Sequence, residues 1–138
     1  MKAEVTDQHR WLQRLLGEWR YEYDAPAKTD KPAKKVEGTE HVRMLGDVWV
    51  LCEAKGTTPD GRTADALMTL GYDPQKQRFV GTWIGSMMNH LWVYDGELNE
   101  AGTAISLMAE GPDFTTPGKF MQYKDVIEFK SNDHRTLT

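Results

Sequence analysis

Cysteine is nearly missing from this chain: Cys52 stands alone among 138 residues. A single thiol rules out an internal disulfide framework and a multi-cysteine zinc site, and such scarcity suits a reducing compartment. Long apolar runs are missing as well. Nothing approaches the roughly 20 residues that cross a bilayer as a helix, and Met1 to Arg10 is polar where a secretory leader would place its apolar stretch, so a cytoplasmic, non-membrane protein is expected. Basic residues are in the minority, 17 Lys and Arg against 21 Asp and Glu for a formal net charge of −4, which argues against a nucleic-acid partner. The local exception, Lys28, Lys31, Lys34 and Lys35, is broken by Pro32, preceded by Pro26 and flanked by Asp24, Asp30 and Glu37, and it reads as a solvated connection. The four histidines, His9, His41, His90 and His134, show no His-x-His or His-Glu-x-x-His spacing, so no metal site is expected. A glycine loop followed by Lys-Ser or Lys-Thr, the phosphate cradle, is likewise absent.

What is present is ordinary for a globular chain: 39% hydrophobic and 28% charged residues, with length for one core, hence a single domain over residues 1–138. Near the start Trp11, Leu12, Leu15 and Leu16 form a helical stripe. A helix from about Asp7 to Leu16 follows, capped by Thr6 or Asp7 and ended by Gly17. The period then changes to two. Trp19, Tyr21 and Tyr23 share one strand face, and further strands are expected near Val36 to Leu45, Asp47 to Lys55, Thr63 to Tyr72, Arg78 to Gly85, His90 to Leu98, Thr103 to Glu110, Phe120 to Lys130 and from His134. Turn signals such as Gly46-Asp47, Pro59-Asp60-Gly61, Asp73-Pro74 and Asp95-Gly96 punctuate the chain, and no second helical pattern interrupts it. The expectation is mainly β: an antiparallel up-and-down barrel of about eight to ten strands with one N-terminal helix, a sandwich being the alternative.

The element Leu15-Leu16-Gly17-Glu18-Trp19 carries Gly-x-Trp at the start of the first strand, and it resembles the calycins, the lipocalins and fatty-acid-binding proteins among them. The wider pattern runs from His9-x-Trp11-Leu12 through Leu45-Gly46-Asp47, Gly71-Tyr72-Asp73-Pro74, Trp83-Ile84-Gly85-Ser86-Met87 and Tyr94-x-Gly96-x-Leu98 to Tyr123-Lys124-Asp125-Val126-Ile127. Over nearly the whole chain it resembles the bacterial Domain of Unknown Function family 1579. The resemblance implies a calycin-like barrel and no established activity. Two departures stand out: many relatives place an Asp where this chain has Gly85, and they continue beyond the segment matching His134 to Thr138 into a further strand. An edge left open there predicts a homodimer, through that edge or through packing of apolar faces.

Aromatic and methionine side chains crowd the middle strands, and glycines beside large rings imply space kept open near a ring. Both readings of this face stand: packed core, or the lining of a pocket. As a pocket, its residues are Trp19, Tyr21, Tyr72, Trp83, His90, Trp92 and Tyr123, holding a small apolar molecule; Gly81 or Gly85 is the place where a bulge would upset this alternation. No catalytic residue is assigned. An enzyme of the same cavity would use Tyr72, His90 or Asp125 for proton transfer; a filled barrel would be a structural or dimerisation module. Cofactors are not expected. Haem, which some calycin relatives bind through one histidine, enters only if His90 faces the interior. Ser86 with His90 and Asp95 lacks the Gly-x-Ser-x-Gly elbow, and Cys52, alternating with Val48, Val50 and Ala54, reads as a small buried hydrophobe.

Overall fold

A computed structural model describes residues 3–24, 35–58 and 60–138; Lys28, Lys31 and Lys34 of the basic stretch and Pro59 of one expected turn lie outside them. Helix α1 spans Asp7–Leu12 and tightens into a 3-10 turn over Gln13–Leu15. The predicted helix therefore stops one residue short of Leu16, because Gly17 at φ +124° turns the chain into the first strand and the indole N–H of Trp19 takes the Leu15 carbonyl at 2.7 Å. At the other end a capping box forms with an unusual partner. The Thr6 hydroxyl accepts from the His9 amide at 3.4 Å, and the Thr6 amide donates to His9 Nδ1 at 2.9 Å, the role Glu or Gln ordinarily plays.

Among the described residues nine strands follow: β1 Gly17–Asp24, β2 Lys35–Leu45, β3 Trp49–Thr57, β4 Thr63–Asp73, β5 Arg78–Gly85, β6 Trp92–Leu98, β7 Ala104–Pro112, β8 Phe120–Ser131 and β9 His134–Leu137. They form one antiparallel sheet in chain order. The expected boundaries hold within two residues, with β6 starting at Trp92 so that His90 falls in the preceding connection. Pairing is continuous through Gly81 with both β4 and β6 and through Gly85 with β4; the register shift lies between Phe129 and Ser131 in β8. The sheet curls through 317° and stays open, β1 and β9 sharing no ladder among the described residues, so the expected closure by backbone is not what this structure has. Side chains span the gap. Arg135 of β9 bonds Glu40 of β2, and its guanidinium lies 4.4 Å over the Trp19 ring of β1.

Chain-order pairing sends the turns alternately to the two ends of the curl. Helix α1 covers the end that carries the β4–β5 and β6–β7 turns, where the buried His9 donates from Nε2 to the Tyr72 carbonyl at 3.0 Å and Trp11 donates from Nε1 to the Gly102 carbonyl at 2.7 Å. Beneath it the core is sealed: Leu12, Leu15, Val50, Leu70, Ile105 and Leu107 are fully buried. Each such side chain contributes about 1.5–3 kcal/mol of apolar burial. Leu15 is buried, whereas Trp11 and Trp19 are half-buried because each ring covers a rim while its N–H reaches a carbonyl.

Candidate functional site

Alternation along each strand decides what faces the interior, and the burial pattern confirms it, as in Trp92, Tyr94 and Gly96 buried between exposed Val93 and Asp95. The end remote from α1 carries the β5–β6 and β7–β8 connections. Its interior-facing rings and methionines are not sealed: Tyr21, Trp83, Met88 and Tyr123 are half-buried, and Tyr23 and Met87 are 51% and 49% exposed. Phe114, in the β7–β8 connection, stands at the same rim, 6.4 Å from Tyr123.

The rings are fixed in place. Trp92 donates from Nε1 to Met88 Sδ at 3.0 Å and meets the rings of His90 and Tyr123 edge-on at 4.6 and 5.1 Å. Tyr123 donates its hydroxyl to the Pro112 carbonyl at 2.5 Å, and Tyr21 stacks on Tyr23 at 6.4 Å. The glycines serve these rings directly. A Cβ at Gly38 would come within 2.5 Å of three Tyr21 atoms, and one at Gly111 within 2.9 Å of three Trp92 ring carbons. Beside Gly38 and Gly111 the space is therefore filled by the rings themselves; beside Gly85, where the sequence suggested space kept open, stand the Trp83 ring and the Met87 sulfur, and beside Gly81 the Thr69 carbonyl.

Two polar pairs stand among these apolar groups. Tyr94, 4% exposed, donates its hydroxyl to Asp125 Oδ2 at 2.6 Å. Burial and the adjacent carboxylate hold that phenol protonated well above its ordinary range. Asp125 lies on β8 between Tyr123 of the open end and Ile127 of the sealed core. Glu40 and Arg135 form the second pair, with side chains 21% and 11% exposed; Arg135 Nε finds no hydrogen-bond partner among the described residues. Cys52 lies within their field: burial first, then the Glu40 charge, push its thiol up to about 12, with Arg135 opposing.

Of the seven lining residues read from sequence, Trp92 touches His90 and Tyr123, Trp83 is its register partner across β5 and β6, and Tyr21 lines the β1–β2 side. Two fall elsewhere: Tyr72 packs under α1 against His9 and Phe79, and Trp19 joins the helix end to Arg135. His90 sits at the rim, where Nε2 donates to the Glu110 carbonyl at 2.9 Å, so that nitrogen is not offered as a haem ligand. Among the described residues no group of three or more His, Cys, Asp and Glu is placed to hold a metal. Ser86, His90 and Asp95 do not converge: Ser86 Oγ accepts from the Asp65 amide at 3.0 Å, and Asp95 pairs with Arg78 at 2.6 Å. Sequence reasoning missed the Glu40–Arg135 pair, although Glu40 shares the inward face of β2 with Val36 and Val42, a readable signal.

The outer face has its own relief. A hollow of about 400 Å³ has an apolar floor of Leu51, Leu67 and Ile84 and a rim that includes Arg43, Glu53, Lys55 and Asp65. Set beside this geometry, one family's sequence profile matches residues 4–138, under the description "Protein of unknown function (DUF1579)". The chain belongs to that family. Membership in DUF1579 assigns no reaction or ligand, so function rests on the residues just described. No curated protein matches this DUF1579 chain by sequence. Among the described residues no helix is long and apolar enough to cross a membrane.

Proposed function

We propose that this DUF1579 protein, a single cytoplasmic domain over residues 1–138 with a calycin-like architecture, binds a small, mostly apolar molecule at the interior end remote from α1. One observation carries the reading. The helix-covered end buries Leu12, Leu15, Val50, Leu70, Ile105 and Leu107 completely, while the opposite end leaves Tyr21, Tyr23, Trp83 and Tyr123 part-exposed on the inward face of the same sheet and Met87 and Met88 part-exposed in the β5–β6 connection. Apolar rings left wet on a concave face lose stability that an apolar ligand restores, at about 25 cal/mol per Å² removed from water. Trp and Tyr add one polar atom each, but those of Trp92 and Tyr123 are engaged within the protein, so they offer the ligand ring surface.

The test is titration with the neutral dye Nile red. Trp83 is half-buried and has no hydrogen bond to lose among the described residues, so Trp83→Leu keeps the fold and weakens dye binding about tenfold, the effect of roughly 1.4 kcal/mol of lost contact. Unchanged affinity in a variant with intact circular dichroism overturns the reading and leaves a filled interior that serves packing. The protein's self-association is proposed to use the outer face of β3 to β6. There Trp49, Ile84 and Val93 are 41%, 47% and 60% exposed, and the oppositely charged Arg43, Glu53, Lys55 and Asp65 let one rim pair with its two-fold mate. The β1 and β9 edges are less suited, because the Arg135–Glu40 contact already spans the gap beside them.

A further inference from the structure

The interior of the proposed site is not electrically neutral. Glu40 is matched by Arg135, whose guanidinium is in turn covered by the Trp19 ring. Asp125 has no such match: its one described hydrogen bond comes from Tyr94, and no Lys, Arg or His among the described residues forms an ion pair with it. The Tyr94 hydroxyl stays a donor because burial and Asp125 both oppose its ionisation, so the carboxylate is the acceptor of this pair and keeps lone pairs for a second donor.

Its surroundings are aromatic. Tyr123 lies two residues away on the same face of β8, Trp92 lies two residues from Tyr94 on β6, and the Trp92 and Tyr123 rings meet edge-on at 5.1 Å. Perpendicular rings present faces in two directions, and ring faces carry negative quadrupole charge. A carboxylate lacking a countercharge beside such faces favours a positive guest and penalises an anion. The position in the fold also matters, since Asp125 sits where the part-exposed aromatic end meets the sealed core at Ile127.

We infer that the ligand is an organic cation, an ammonium or substituted amine on an apolar body, whose charged head is received by Asp125 beside the Trp92 and Tyr123 rings. This rests on the apolar-binding reading above and narrows it to one charge class.

The experiment compares trimethylanilinium with tert-butylbenzene, two molecules of the same shape that differ in charge, by calorimetric titration of the full chain. The cation binds at least about tenfold more tightly, from desolvated cation–π contact and the carboxylate together. Asp125→Asn keeps an acceptor for the Tyr94 hydroxyl and so preserves the fold, cuts that preference by the carboxylate's share, and leaves tert-butylbenzene affinity unchanged. Equal or tighter binding of tert-butylbenzene overturns the inference while sparing the apolar site, as does a preference that Asp125→Asn leaves undiminished. Nile red binding with neither small probe bound also overturns it. Binding of none of the three probes overturns the inference and the apolar-site reading together.

Discussion

Replacing Gly111 by Ala isolates the reason glycines line this interior. Gly111 is not among the residues at positive φ, so Ala adds no backbone strain there and, by restricting the unfolded chain, stabilises by about 0.4–1 kcal/mol if nothing else changes. The new Cβ, however, stands within 2.9 Å of three Trp92 ring carbons, where carbon atoms prefer about 3.5–4 Å. Trp92 is 9% exposed, held by Met88 and flanked edge-on by His90 and Tyr123, so the ring cannot withdraw without disturbing all three. Overpacking of this kind costs about 1–3 kcal/mol, which outweighs the backbone gain and leaves a net loss of about 1–2 kcal/mol. In a Trp92→Leu background the obstructing ring carbons are gone and the same change becomes neutral or stabilising. Urea unfolding followed by far-ultraviolet circular dichroism, run on the four members of this double-mutant cycle, measures a coupling of about 1–3 kcal/mol. An identical cost for Gly111→Ala in both backgrounds would refute the steric account.

Arg135→Met leaves Glu40 facing the interior without its partner and lowers stability by about 3 kcal/mol, the low end for a broken buried pair because Glu40 keeps 21% of its side chain exposed; Glu40→Met added to it restores most of the loss in the same urea assay. Alkaline titration probes Cys52, whose thiol ionises near 9 in the unfolded chain and near 12 in the fold. The unfolded chain thus releases its proton first, so the contribution is complete below about pH 9 and declines by about 1.4 kcal/mol per pH unit as pH rises toward 12; Cys52→Ala flattens that decline, measured by urea melts between pH 8 and 10.5. Tyr94, raised by burial and by Asp125, adds a decline of the same sign above its ordinary range near 10. Light scattering gives twice the monomer mass at micromolar concentration, and Ile84→Lys, placing a charge at the centre of the apolar outer face, returns the monomer; a monomer in the unmodified chain would remove the dimer proposal.

Most of the secondary structure was legible because periodicity is a local property. The strand Arg78–Gly85 coincides with its expected bounds, and alternation correctly puts Tyr21, Trp83, Trp92 and Tyr123 on the inward face. Thr6 was readable as a cap, but His9 as its partner was not, since an imidazole closes a capping box only where tertiary packing buries it and the Tyr72 carbonyl takes its other nitrogen. Family membership was readable from spacing for the same reason that the strands were: glycines and tryptophans at turns and strand starts leave a linear trace.

Contacts between distant strands leave no such trace. That Tyr94 meets Asp125, 31 positions away, and Arg135 meets Glu40, 95 positions away, depends on how far the sheet curls, and curl arises from accumulated twist and register across nine strands. The same curl divides one aromatic face into different environments, taking Tyr72 under the helix, Trp19 to the gap between edges, and Trp92 with Tyr123 to the part-exposed end. Sequence by itself determined the strand-rich class, the helix near the start and the inward identity of the rings, because these follow from local alternation and capping. Only the tertiary structure decided that the sheet stays open and that the spaces beside Gly38 and Gly111 are filled by the Tyr21 and Trp92 rings. It also decided that one carboxylate, Asp125, lies among the inward rings without a countercharge from any described residue, since each of these depends on three-dimensional proximity.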